Sequence, residues 1–424
     1  MTKILDILVE RNEWWKGEFK LEFKERTVYE KIRKFLGMRQ MLSFTGIRRV
    51  GKTTLLMKII EDSIASGLDP RNIVYFPFDE AKEIALRDLI KEYEVFSGRS
   101  LKDGKHLLVL DEVQKLNDWE NQVKAVYDAY AGTTKILLSG SESLFIRKKS
   151  KESLAGRIFE FKINPLSFEE FLRFKGKDFG NVQLYEKELR RLLNEFIHTQ
   201  GFPELVGYDD LAIIKKYIYE GIVEKVLYKD IPEVFRVSNI DALRAIIDSL
   251  MQEPGQIIEY TKLSKELGIS RQSASDYTSY LCDSFLLRRL YNYSKSTRKQ
   301  ERKLKKYYPT VIAPELTFKN DDLYMSRVFE WLIVNAFDAK FFWRDVYKHE
   351  VDIVTPDGSP IEIKYGNIDI SNVLFFLDEF DLKRGYVVSW QKDYEISDKG
   401  KNVMIVSALN ALLNRKLLPA GDQI

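Results

Sequence analysis

The segment Gly46-Ile47-Arg48-Arg49-Val50-Gly51-Lys52-Thr53 has the spacing G-x-x-x-x-G-K-[ST], and it constrains the chain more than any other. It follows a strand-like run, MLSFT (41–45), and opens a helical pattern, TLLMKIIEDSIA (54–65). That context is what the chemistry needs. Glycines let backbone amides curl round a phosphate, and the following helix adds positive potential at its N-terminus. The spacing predicts that the loop from Gly46 to Thr53, with Thr54, cradles the phosphates of ATP. Lys52 would neutralise the β- and γ-phosphates, and Thr53 would hold Mg²⁺.

A second signal lies some sixty residues on. The apolar run LLVL (107–110) ends in Asp111-Glu112, which sets two carboxylates at the carboxyl edge of a sheet, where ligands bind. Asp111 is expected in the Mg²⁺ shell, with Glu112 polarising the attacking water. The run KILLS (135–139) ends in Ser139-Gly140-Ser141. Ser139 would sense the γ-phosphate or simply close a Ser/Gly turn. Short apolar runs at 41–45, 72–78, 106–110, 135–139 and 158–163 alternate with amphipathic stretches, so the fold class is α/β with a parallel sheet covered on both faces.

The segments GIRRVGKTTLL (46–56), LLVLDEVQK (107–115), ILLSGSES (136–143) and SLAGRIFEFKINPLSFEEFL (153–172) resemble the AAA+ ATPases, in particular the archaeal and bacterial group with a nuclease-like C-terminal domain. The resemblance implies a P-loop core with a helical lid. It also implies that Arg157 touches the nucleotide phosphates, within its own chain or from a neighbouring subunit of a homo-oligomer. The alternative for Arg157 is a surface or helix-capping role.

Further along, Tyr260–Gly268 reads as a short helix closed by glycine, and Ser270 caps a second. This is helix-turn-helix spacing, with Arg271, Gln272 and Ser273 where base edges are met. SFLLRRLYNY (284–293) would supply a wing strand, giving a winged helix. Such modules also serve as protein–protein spacers. Residues 288–306 hold nine basic side chains against one acidic, with Tyr291 and Tyr293 between them. Lys303, Lys305 and Lys306 are therefore expected on a DNA backbone. A solvated loop is the alternative.

EVDIV (350–354) and IEIKY (361–365) read as a β-hairpin turned by Pro356-Asp357-Gly358. Alternation puts Glu362 and Lys364 on one face, and Asp352 can share it. With Glu330 from the run 326–337, these carboxylates could bind Mg²⁺ for phosphodiester cleavage. The pattern resembles nucleases with an Asp, then Glu-x-Lys, such as Holliday-junction resolvases and many restriction enzymes. An active nuclease and an inactive binding platform both stay open.

The expected organisation is an ATPase core with N-terminal helices (1–165), a helical lid (166–235), a winged helix (236–310) and a nuclease-like α/β domain (311–424). The expected function is ATP hydrolysis acting on DNA. The alternative is a non-nucleolytic nucleotide switch whose C-terminal domains bind protein or DNA. One cysteine and three histidines rule out a disulfide framework and make a cysteine-based zinc site a poor fit. Charged residues appear too early for a signal peptide, and no apolar run reaches the ~18 residues of a membrane span. The expected setting is therefore cytoplasmic, with no membrane partner. The net charge of +3 in 424 residues leaves nucleic acid neither favoured nor excluded; only its local distribution points there.

Overall fold

Five parallel strands form the first sheet: β1 (Met41–Thr45), β2 (Ile73–Pro77), β3 (His106–Asp111), β4 (Thr134–Gly140) and β5 (Ile158–Lys162), in the order β2-β3-β4-β1-β5. The structure is a computed structural model that describes residues 2–81, 83–141, 154–296, 300, 304–319, 321–398, 400–414 and 417–419. Its chain divides into two units, Met1–Pro165 and Leu166–Ile424. In the first, every residue of β1, β2 and β3 is buried, as expected for strands covered on both faces. Among the described residues the α-helices of this unit are α1 (Lys3–Arg11), α2 (Thr27–Leu36), α3 (Lys52–Ala65), α4 (Leu86–Ser97) and α5 (Trp119–Tyr130). In α3, Leu55, Leu56, Ile59 and Ile60 make a buried stripe at helical spacing. The chain before α2 is tied to the sheet by a polar clamp. The amide of buried Asn12 accepts from Tyr75 N at 2.7 Å and donates to Tyr75 O at 3.0 Å.

The second unit is built on a nine-stranded mixed sheet. Its strands are β6 (Gln256–Ile257), β7 (Leu287–Asn292), β8 (Lys305–Pro309), β9 (Phe341–Arg344), β10 (Glu350–Val354), β11 (Pro360–Lys364), β12 (Arg384–Ser389), β13 (Tyr394–Asp398) and β14 (Lys401–Ser407). The order is β13-β14-β12-β11-β10-β9-β7-β8-β6. The segments 236–310 and 311–424 therefore share one sheet, joined where Tyr291 and Asn292 of β7 pair in parallel with Phe341 and Phe342 of β9. Helices Tyr260–Glu266 and Arg271–Asp283 meet at Gly268, whose φ of 62° closes the first, and Ser270 caps the second through Ser273 N. Strands β7 and β8 then return as an antiparallel pair. Among the described residues no helix is long and apolar enough to cross a membrane.

Among the links between the helical stretch 166–235 and the rest of its unit, one side chain acts as a strand would. Gln200 donates to Ile312 O at 3.0 Å and accepts from Ile312 N at 2.9 Å, and both residues are buried. Truncating it would leave a buried N–H and a buried C=O without partners. Gln200→Ala is expected to cost ~2–4 kcal/mol, read as a lower denaturant midpoint. An unchanged midpoint would mean that water replaces both bonds.

Candidate functional site: a phosphate loop and an acidic cleft

The loop between β1 and α3 has a backbone that only its sequence permits. Gly46 has φ 148°, and a Cβ there would lie 2.2 Å from the carbonyl oxygen of Ile163. Gly51 (φ 93°) and Arg49 (φ 64°) also take left-handed conformations. Lys52 is buried and donates to the carbonyls of Gly46 (2.9 Å) and Ile47 (3.1 Å), so its ammonium sits inside the curl of the loop. Arg26, buried at the start of α2, braces the loop by donating to Val50 O and Asn164 O, each at 2.8 Å. Sequence reasoning missed Arg26, because it lies twenty residues before the motif and nothing in its neighbourhood marks it.

Asp111 ends β3 as the hub of this site. Its carboxylate accepts from Thr53 Oγ1 (2.8 Å), from the Tyr75 hydroxyl (2.8 Å) and from Ser139 Oγ. Ser139 Oγ also accepts from Glu112 N at 3.1 Å, so the serine locks the ends of β3 and β4 together. Its hydroxyl thus faces the carboxylates. Glu112 is held at φ 52°, with its carboxylate accepting from Ser141 Oγ (2.7 Å) and the Gln114 amide (2.6 Å). Strained backbone of this kind is typical of functional positions. Burial, with the neighbouring Glu112 charge, pushes Asp111 above the ordinary carboxylate range, only partly offset by its three donors. Burial works the same way on Glu112, but Lys52 and the bonds from Ser141 and Gln114 outweigh it and hold that carboxyl low. The donor set fits Mg²⁺: a threonine hydroxyl and a carboxylate already meet beside a lysine. Tyr75 was also missed, although a tyrosine in a buried run next to β3 was a signal.

Arg157 is elsewhere. It precedes β5, whose first residue Ile158 pairs with Met41 at the start of β1, whereas the loop follows the end of β1. A five-residue strand spans ~16 Å, more than an arginine can bridge. Its guanidinium instead pairs with Asp128 at 3.1 Å. The expectation that Arg157 reaches the nucleotide of its own chain is corrected; only a neighbouring subunit's loop stays open to it.

In the second unit, β10 and β11 pair antiparallel, with Ile353 opposite Ile361. They bring Asp352, Glu362 and Lys364 to a cleft of about 360 Å³ that Glu330 and Glu350 also line. Lys364 donates to Glu362 Oε1 at 2.7 Å, and Asp352 accepts from Ile363 N at 2.9 Å. The other oxygen of Glu362, Oε2, is buried without a hydrogen-bond partner. Lys306 is not on a DNA-facing surface, which corrects the expectation drawn from the basic stretch. Strand alternation turns it inward, 5% exposed, to donate to Glu330 (2.7 Å), Glu350 (2.7 Å) and Asp352 (3.5 Å). Lys305, on the opposite face, lies over the Tyr291 ring. Lys303 lies outside the described residues, as do Arg298, Lys299 and Arg302. Arg271 and Gln272 are exposed and Ser273 half-buried at the start of their helix.

Burial pushes Asp352 well above the usual carboxylate range, reinforced by the Glu330 and Glu362 charges. Burial also acts upward on Glu330, but Lys306 and the donors around it hold that group below its ordinary value. Among the described residues, no three His, Cys, Asp or Glu side chains converge closely enough to cage a metal. Asp352 and the unpartnered oxygen of Glu362 are the donors that fit a hard cation. Glu350 was missed, though alternation from Asp352 places it on the same face.

Residues 38–172 match the family model described as an AAA domain, and residues 190–310 match a domain of unknown function. The phosphate loop lies within the residues that match the AAA-domain model. An uncharacterized protein of Methanocaldococcus jannaschii is 32% identical over 264 residues, which are 60% of this chain and 57% of the relative. The chain thus spans little more than half of that relative's length. A second uncharacterized protein of the same organism is 25% identical over 92% of this chain and 78% of its own. One from Haemophilus influenzae is 28% identical over 55% and 56% respectively. Among solved structures, Cdc6p from Pyrobaculum aerophilum aligns with a TM-score of 0.31 and 12% identity, covering 77% of this chain and 100% of that one. Domain III of the Thermotoga maritima replication initiation protein DnaA aligns at 0.27 and 15%, over 51% and 98%.

The contact between Gly46 and Ile163 makes a structural prediction. Gly46→Ala should cost at least ~2 kcal/mol, because the new methyl would collide with backbone. Urea titration of the variant checks this, and a midpoint equal to wild type would show that the loop can shift aside.

Proposed function

We propose that the chain binds and hydrolyses ATP at the phosphate loop and acts on DNA through its second unit, where the acidic cleft is a metal-dependent phosphodiesterase site. The observation that carries the first part is the convergence of Lys52, Thr53, Asp111 and Glu112 at one sheet edge. Lys52 would exchange its two loop carbonyls for phosphate oxygens. Thr53 and Asp111 would hold Mg²⁺, which supplies charge neutralisation at the phosphates when bound. Glu112, kept ionised by Lys52, Ser141 and Gln114, would orient the attacking water. Ser139 is a positioning residue that fixes both carboxylates. Arg157, if it acts, acts on a neighbouring subunit's nucleotide in a homo-oligomer.

The second part rests on the shared sheet. The helix carrying exposed Arg271 and Gln272 precedes the β7–β8 pair, and β8 contributes Lys306 to the cleft. That arrangement supports a winged-helix module guiding DNA toward a nuclease-like site. A divalent cation held by Asp352 and Glu362 would supply Lewis acidity at a phosphodiester oxygen. Lys364 would orient a water or stabilise the departing charge. The non-nucleolytic switch is favoured by one observation, the engagement of Glu330 and Glu350 by Lys306.

Glu112→Gln is expected to retain ATP affinity while turnover falls ~10²–10⁴-fold, and Lys52→Ala to lose binding itself. Normal steady-state turnover in Lys52→Ala would sink the ATPase reading. A panel of branched and single-stranded DNAs with Mg²⁺ or Mn²⁺ should be cut by wild type and left intact by Asp352→Ala and Lys364→Ala. Cutting by both variants at the wild-type rate would remove the cleft from the chemistry. No cutting by any form would leave the switch.

A further inference from the structure

Lys306 has an unusual position for a lysine. Its side chain is 7% exposed, and its strand is paired on both sides, with Leu290 of β7 and Ile257 of β6 opposite it. An ammonium has three hydrogens to donate. The structure supplies three carboxylate partners, Glu330, Glu350 and Asp352. Glu330 also accepts from the Tyr308 hydroxyl, and Glu350 from Arg344 at 3.1 Å. Glu350 thus has a donor of the chain itself on each oxygen, and Glu330 takes two on Oε1. The cleft holds one oxygen in the opposite condition: Glu362 Oε2, in a residue 3% exposed, has no donor. Asp352 stands between the two groups, contacting Lys306 through Oδ1 and held by Ile363 N through Oδ2.

We infer that Lys306 is a built-in second cation, and that the cleft takes one divalent metal, between Asp352 and Glu362, instead of a pair. The inference rests on the reading of the cleft as a metal site. Paired-metal centres place their ions ~3.5–4 Å apart with a carboxylate between them. Here the far side of the bridging carboxylate, Asp352, is already occupied by an ammonium that cannot withdraw, because its strand is fixed in the sheet. A second divalent ion would have to displace an ammonium that three carboxylates hold at once. Lys306 therefore does two jobs. It neutralises Glu330 and Glu350 when the site is empty, and it sets the stoichiometry when the site is loaded. It touches no substrate and is a positioning residue.

The test is the number and mutual coupling of bound ions, measured on the nucleotide-free full chain with Mn²⁺ by equilibrium binding and electron paramagnetic resonance. Wild type should bind one Mn²⁺ that is lost in Asp352→Asn, with a spectrum free of ion–ion coupling. Lys306→Met should gain a second equivalent and a coupled spectrum, while Lys306→Arg should stay at one. Circular dichroism establishes that each variant is folded. Two coupled ions in wild type would overturn the inference and leave the metal-site reading standing. So would a folded Lys306→Met that still binds a single ion. If Lys306→Met does not fold, the wild-type and Lys306→Arg stoichiometries decide: one ion in each supports the inference, two in either overturns it. The absence of any Mn²⁺ binding sensitive to Asp352→Asn would overturn both the reading and the inference.

Discussion

The interaction on which the second unit depends is the salt bridge network that Lys306 makes with Glu330, Glu350 and Asp352. Four acidic side chains line one cleft, and burying like charges together is costly unless cations accompany them. Lys306, Lys364 and Arg344 are those cations, and they come from three different strands. The consequence is structural before it is chemical. Removing the ammonium would leave three carboxylates without their common partner, so β8 has to be in register for β10 and β11 to keep their polar faces inward. The first unit solves the same problem differently. Asp111 accepts from three hydroxyl donors, and the cationic charge of the site comes from Lys52.

Much of this was legible in the sequence where the determinants are local. Gly46, Gly51 and Lys52 announce their loop because the backbone demands those residue types within eight positions. Asp111-Glu112 is recognisable because an apolar run that meets two carboxylates marks the end of a buried strand. The β10–β11 pairing follows from Pro-Asp-Gly and from period-two alternation, which also placed Glu362 and Lys364 correctly on one face. What escaped is what depends on contacts between distant segments. Arg26 supports Val50 across twenty-four residues, Gln200 reaches Ile312 across 112, and Lys306 meets Asp352 across forty-six. No window of sequence holds both partners.

The basic stretch shows why composition misleads at short range. Lys305 and Lys306 are adjacent and chemically identical, yet strand alternation sends one outward over an aromatic ring and the other into an acidic pocket. Counting charges along 288–306 treats them as one patch; the pleat separates them into opposite roles. Arg157 carries a parallel lesson. The family resemblance implied a phosphate contact for it, but strand direction assigns that end of the sheet to the edge away from the loop of its own chain.

The continuity of the nine-stranded sheet bears on how portable its parts are. A segment cut at residue 310 would carry β9 with its β7-facing edge stripped of hydrogen-bond partners, and such an edge invites pairing with another copy. It would also leave behind the lysine that balances its acids. The region from 311 onward is thus not a cassette that could be moved by recombination onto another scaffold. Any exchange would have to carry the preceding hairpin with it, which makes the two segments a single unit of inheritance.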